Sequence, residues 1–142
     1  MSFSKRVVLK FGGTSVSTLE RWETIKSICQ SRLKDDTKVV VVCSALSGIS
    51  NALENLIELA LKGDYKPTFD KIQKRHFDFV DELGLSDGKD LISQDLSQLK
   101  NLALGLSLVK VRSPEVSARI LSFGELLLTK VAHRWLNKTG LS

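Results

Sequence analysis

Two short segments carry unbroken aliphatic runs. Residues 6–11 hold Val7, Val8 and Leu9, and residues 38–43 hold Val39 to Val42 followed by Cys43. Continuous, largely β-branched stretches of this length predict strands buried on both faces, as in a parallel sheet. Between them the apolar positions switch to helical spacing at Leu19, Trp22, Ile25 and Cys29. Ser17-Thr18-Leu19-Glu20 reads as a capping box ahead of that stripe, with Ser17 as N-cap and Glu20 three residues on. Strand, helix and strand within about 40 residues make a βαβ unit, and its crossover is expected to be right-handed.

Everything beyond the second strand reads helical. Residues 50–62 place Leu53, Leu56, Ile57, Ala60 and Leu61 on one face, and 68–83 do the same with Phe69, Ile72, His76, Phe79, Val80 and Leu83. A loop at 84–89 precedes a helix over 90–109 carrying Ile92, Leu96, Leu99, Ala103, Leu106 and Val109. Ser113-Pro114-Glu115 opens the last helix as N-cap, first-turn proline and first-turn acid. That helix is expected to reach about Asn137, with Gly140 suited to the cap beyond it. The fold class is therefore α/β, helix-rich, with a βαβ start. Two strands are too few for the core of a doubly wound domain, and another strand would be due after the last helix cap. The pattern predicts an incomplete sheet.

Composition narrows the class. In 142 residues, 42% are hydrophobic and 26% charged, as in an ordinary globular domain. No apolar run approaches the roughly 18 residues that span a bilayer, and the start Met1 to Arg6 lacks the apolar stretch of a signal peptide. The expectation is a cytoplasmic protein without membrane partners. Cys29 and Cys43 show no metal-ligand spacing and read as free thiols. The formal net charge of +5 is scattered among acids without an aromatic platform, which argues against nucleic acid and fits small anions. His76 and His133 read as structural, since neither falls at a strand end.

Lys10-Phe11-Gly12-Gly13-Thr14-Ser15 lies directly after the first strand and before a helix. Ligands of open α/β sheets bind beyond the carboxyl ends of strands. A glycine pair lets backbone N–H groups approach a phosphate, and the next helix N-terminus adds positive potential. Lys10 supplies a full charge, and Thr14 and Ser15 supply hydroxyls. Phosphoryl transfer runs on such positioning and charge stabilisation. The string is neither a Walker A loop, where lysine follows the glycines, nor GxGxxG. By spacing alone, an ordinary βα turn remains an alternative. The second strand ends in Ser44-Ala45-Leu46-Ser47-Gly48-Ile49-Ser50-Asn51, which reads as loop and N-cap or as ligand loop. Glu125 sits mid-helix among apolar neighbours, either paired to Lys130 or Arg119 or held for a ligand.

Val8 to Val16 resembles the N-terminal signature of the aspartate kinases, members of the amino-acid kinase family. The whole string Lys10 to Ser15 matches. Ser44-Ala45, Gly48, Ser50 and Asn51 follow that family's second motif, with Ser50 where threonine is common. Ser122, Gly124, Glu125 and Thr129 follow its third. The resemblance implies that Lys10 contacts the transferring phosphoryl group and that Gly12, Gly13, Thr14, Ser15 and Ser44 lie by the phosphates of ATP. Ser50 and Glu125 would bind L-aspartate, Glu125 through the α-amino group, since an ammonium ion needs an anionic acceptor.

The implied activity is ATP-dependent phosphorylation of the aspartate β-carboxylate, the first step toward lysine, threonine and methionine. The alternatives are another amino-acid kinase, or a non-catalytic module that binds anions or partners. Residues 1–142 would be the N-terminal part of the catalytic domain. The nucleotide half, a carboxylate-binding arginine, a catalytic aspartate and the regulatory ACT domains would lie outside it. The parent is expected to be a homo-oligomer, and this segment alone to be inactive and prone to self-association. Magnesium is expected with ATP, but no ligand for it is identifiable. Lys10, Gly12, Gly13, Ser44 and Glu125 are expected to converge at the carboxyl ends of the two strands.

Overall fold

The computed structural model describes residues 5–33 and 37–141. The first four residues, read above for a leader, lie outside that range. β1 (Arg6–Phe11) and β2 (Lys38–Cys43) form where the aliphatic runs predict strands. They pair in parallel, with Lys10 opposite Val42 and Phe11 opposite Cys43. Burial alternates strictly along both strands. Leu9, Phe11, Val39, Val41 and Cys43 turn toward the core. Val8 is 65% exposed and Val40 46%, so the other face is open. The expectation of burial on both faces fails here because, among the described residues, the helices that meet the sheet lie on one side of it.

α1 (Leu19–Arg32) makes the crossover and buries Trp22, Ile25 and Cys29. Its cap is Thr18, whose hydroxyl accepts from the Arg21 N–H at 3.3 Å. Ser17 cannot fill that role. Its backbone, at φ −97° and ψ −4°, closes a 3-10 turn over Gly13–Val16, whereas an N-cap residue is extended. The predicted cap is thus displaced by one residue. Trp22 secures the turn below it by donating its indole N–H to the Val16 carbonyl at 2.8 Å.

Four further helices follow: α2 (Ile49–Lys62), α3 (Lys66–Glu82), α4 (Gly88–Val109) and α5 (Pro114–Lys138). The predicted apolar stripes form their inner faces, and all join one core with the βαβ unit. Ser113 caps α5 as expected, accepting from the Val116 N–H at 3.1 Å. Gly48 caps α2 in the left-handed region, so none of the hydroxyls of the second loop acts as a cap. Val109, assigned above to the apolar stripe, is 68% exposed. α4 runs past its partners, and Leu106 is its last buried residue.

α5 binds the two halves together. Trp135 meets Trp22 of α1 edge to face, with centroids 6.4 Å apart. Lys130 reaches the buried Asp95 of α4 at 2.6 Å. A buried carboxylate without such a partner would be strongly destabilising. A cavity of about 290 Å3 remains between α1, β2 and α5. Its lining includes both free thiols, Cys29 and Cys43. Burial raises the pKa of both.

His76 is fully enclosed in α3. Its Nδ1–H donates to the Ile72 carbonyl at 2.8 Å, which leaves Nε2 buried and without a partner among the described residues. Burial holds the imidazole below its ordinary pKa, and the Arg75 charge adds to the effect. Above about pH 6.5 both folded and unfolded chains carry it neutral. Below that, the unfolded chain takes a proton that the fold refuses, so stability falls with pH, by at most about 1.4 kcal/mol per unit. Urea midpoints should therefore drop between pH 7.5 and 5.5 in the wild type and stay flatter in His76→Gln. Equal slopes in the two proteins would assign the dependence to other groups.

Candidate functional site

The first strand-end loop leaves β1 at Phe11 and tightens at once into the 3-10 turn. The Ser15 N–H donates to the Gly12 carbonyl at 3.0 Å. The Gly13 and Thr14 N–H groups come before that first bond, so the turn itself leaves them free as donors. The second loop leaves β2 alongside, and the Ser44 N–H donates to the Phe11 carbonyl at 3.0 Å. The two loops then touch. A Cβ on Gly13 would stand 3.1 Å from the Ala45 carbonyl oxygen, so Gly13 must be small for the loops to meet. A Cβ on Gly12 would meet nothing within 4 Å. The absent side chain there borders open space.

α5 brings the third motif to the same strand end. Gly124 faces the second loop, and a Cβ on it would stand 2.8 Å from the Ala45 Cβ. Glu125, the next residue, is exposed. It lies near enough to Cys43 for its charge to help raise that thiol's pKa, after burial as the main cause. Thr129, one turn on, has its hydroxyl 3.7 Å from the Cys43 sulfur. Neither cation proposed as a helix-face partner is used on Glu125. Lys130 pairs with Asp95, while Arg119 lies over the Phe123 ring and reaches Gln98 at 3.4 Å. Among the described residues, Glu125 forms no ion pair.

The other site residues divide between these surfaces. Ser44 is half-buried at the end of β2, and Ser50 is exposed in the first turn of α2. Thr14 is exposed and Ser15 half-buried within the turn. Lys10 is the outlier. The pleat sends its side chain to the open side of the sheet, opposite to Phe11 and Cys43. Glu125 approaches from the covered side. The glycine loop touches the Ser44 loop, and Gly124 packs on the Ser44 loop, but Lys10 leaves β1 on the face opposite to the one α5 covers, so its expected convergence with Glu125 in one cleft is not seen in these contacts. Lys10 has no carboxylate partner among the described residues.

Three residues that the sequence reading left out of the site hold it in place. The Ser17 hydroxyl donates to the Gly13 carbonyl at 2.5 Å and accepts from the Ser47 N–H at 2.8 Å. Arg75 of α3 donates to the Ser17 carbonyl at 3.1 Å, and Glu82 accepts from the Leu19 N–H at 2.8 Å. Glu82 thus occupies the N-terminus of α1. The positive end of that helix is answered by a protein carboxylate, so the anion-binding capacity expected of it falls to the 3-10 turn. Ser17 and Ser47 lie 30 positions apart, and no local pattern announces their contact.

A group of at least three His, Cys, Asp or Glu side chains placed to hold a metal ion is absent among the described residues. No described helix is long and apolar enough to cross a membrane. Comparison with known proteins is consistent throughout. The chain is 30% identical over 138 residues to the chloroplastic aspartokinase 3 of Arabidopsis thaliana, covering 94% of this chain and 24% of that one. It superposes on Escherichia coli aspartokinase III, solved in complex with aspartate and ADP, with a TM-score of 0.79 at 28% identity. That match covers 95% of this chain and 29% of the other. The same enzyme in complex with lysine and aspartate gives 0.70 at 26% identity, covering 99% and 30%. The chain spans between 16% and 25% of the length of the curated relatives that match it along most of its own. The profile of the amino acid kinase family matches residues 5–142, and with the glycine loop, Ser44 loop and Glu125 at one strand end, the chain belongs to that family.

Proposed function

We propose that this chain is the N-terminal part of an aspartokinase catalytic domain, the part that holds L-aspartate and one side of the transferred phosphoryl group. One observation carries the reading. Gly13 of the glycine loop and Gly124, the residue before Glu125, both pack against Ala45 just beyond β2, in a fold that superposes on a chain solved with aspartate and ADP. In the whole enzyme a β-carboxylate oxygen of aspartate attacks the γ-phosphorus of ATP. The bond from that phosphorus to the ADP oxygen breaks, and 4-phospho-L-aspartate and ADP leave. This is the first step toward lysine, threonine and methionine. A cytoplasmic setting and a homo-oligomeric parent belong to the same reading, which involves neither nucleic acid nor membrane.

Each residue has a chemical task in it. Lys10 extends its ammonium past the sheet edge to offset the charge that builds on the phosphoryl oxygens. Gly12 leaves room for a phosphate, and the free N–H groups of Gly13 and Thr14 donate to it. The Ser15 and Ser44 hydroxyls border the same space. Glu125, unpaired in the protein, accepts from the α-ammonium of aspartate, and Ser50 offers a hydroxyl from the first turn of α2. Magnesium is expected to accompany the ATP, held largely by the phosphates themselves, and no group of three or more His, Cys, Asp or Glu side chains among the described residues is placed to hold it.

The assay is a substrate panel on the complete enzyme: aspartate, glutamate, N-acetylglutamate, carbamate and UMP, each with ATP. Aspartate should be the phosphorylated substrate, and preference for another would move the protein elsewhere in its family. Lys10→Ala should lower kcat by two to three orders of magnitude, about 3–4 kcal/mol of transition-state stabilisation. Glu125→Ala should weaken aspartate binding by about 2–3 kcal/mol. Unchanged aspartate affinity in that variant contradicts the assigned role.

The two glycines should separate in their own test. Gly12→Ala should leave the melting temperature within a few degrees and raise the KM for ATP, because the added methyl enters open space. Gly13→Val should lower stability by about 1–3 kcal/mol, because its side chain meets the second loop. Similar losses of stability in both variants would remove the distinction.

A further inference from the structure

The Ser17 hydroxyl makes two hydrogen bonds of opposite sense to two different loops. It donates to the Gly13 carbonyl at 2.5 Å and accepts from the Ser47 N–H at 2.8 Å. Ser17 is 9% exposed. Arg75 fastens its carbonyl from α3 at 3.1 Å, and Glu82 fastens the chain two residues on. Only a side chain that both donates and accepts through one atom can close this link, and alanine would leave the Ser47 N–H without this acceptor and the Gly13 carbonyl with only its 3-10 bond.

The link also sets a direction. A trans peptide is planar, with its C=O and N–H antiparallel. Drawing the Gly13 carbonyl toward Ser17 aims the Thr14 N–H of the same peptide the opposite way, out of the turn. The second bond holds the Ser47 loop at a set distance from that peptide. We infer that Ser17 is a positioning residue for phosphoryl transfer. It staples the glycine loop to the substrate loop and so fixes where the phosphate-facing N–H of Thr14 stands relative to the aspartate site. This rests on the aspartokinase reading above. Ser17 itself touches neither substrate.

The test compares wild type, Ser17→Ala and Ser17→Thr in the complete enzyme. In Ser17→Ala, kcat should fall about 10- to 100-fold, the scale of a small misplacement of reacting groups. The KM for aspartate should stay within about twofold, and the melting temperature within a few degrees. Ser17→Thr, which keeps the hydroxyl, should recover most of kcat. In ligand-free protein, amide exchange should quicken in both 12–17 and 44–51 in Ser17→Ala and remain near wild type in Ser17→Thr. Unchanged kcat overturns the proposal. So does a loss that threonine does not rescue, or one matched by a large drop in melting temperature, since those report a merely structural role. A wild-type enzyme that transfers no phosphate to aspartate sinks the functional reading, and the catalytic half of this inference with it. The exchange experiment still decides the staple in that case: quickening of both loops upholds it, and quickening of one or neither overturns it.

Discussion

The site depends on how closely α5 approaches the end of β2. Gly124 has no side chain, and the space a Cβ would need is already filled by the Ala45 methyl, with Leu53 and Ile49 close behind. Helix interiors disfavour glycine by about 1 kcal/mol relative to alanine. Here that disadvantage is exchanged for contact between a helix and a strand-end loop. The next residue on the helix is Glu125. A larger residue at 124 would lift α5 from the loop and carry the carboxylate away from Cys43 at the end of β2. The Trp22–Trp135 contact and the Asp95–Lys130 pair tie the same helix to α1 and α4.

A second layer of constraint comes from α3, which contributes no residue to the proposed ligand contacts. Its Arg75 and Glu82 grip the chain on either side of Thr18, between the glycine turn and α1. Glu82 has an electrostatic consequence. It answers the N-terminus of α1 with a protein carboxylate, so that in the proposed function the turn and Lys10 are the groups left for the phosphates. Lys10 stands on the opposite pleat face from Cys43, so positive charge reaches the strand ends from the open side while Glu125 reaches them from the covered side.

The periodicity of the chain made most of the fold legible. The aliphatic runs located both strands, and the helical stripes located five helices with boundaries within about two residues, the usual uncertainty at helix ends. The Lys10–Ser15 string, the Ser44 loop and Glu125 were legible as site candidates because each carries an unusual local pattern. The errors have specific causes. Ser17 looked like an N-cap because Ser-x-x-Glu is a local signature, yet its hydroxyl is claimed by two backbone groups, one of them in another loop. Val8, Val40 and Val42 looked doubly buried because β-branched runs report strand propensity and not what covers the strand. Val109 kept helical spacing past the point where α4 still has a neighbour.

The amino-acid order by itself thus determined the elements, the Ser113 cap of α5, the parallel pairing and the residue types at the strand ends. Each of these follows from interactions within a few residues or from the period of the hydrophobic pattern. Only the tertiary structure decided that Lys130 serves Asp95 and leaves Glu125 free, that Gly12 faces open space while Gly13 faces the protein, and that Ser17 joins two loops. Those outcomes depend on distances between segments tens of residues apart. Local propensity carries no information about such distances until the core brings the segments together.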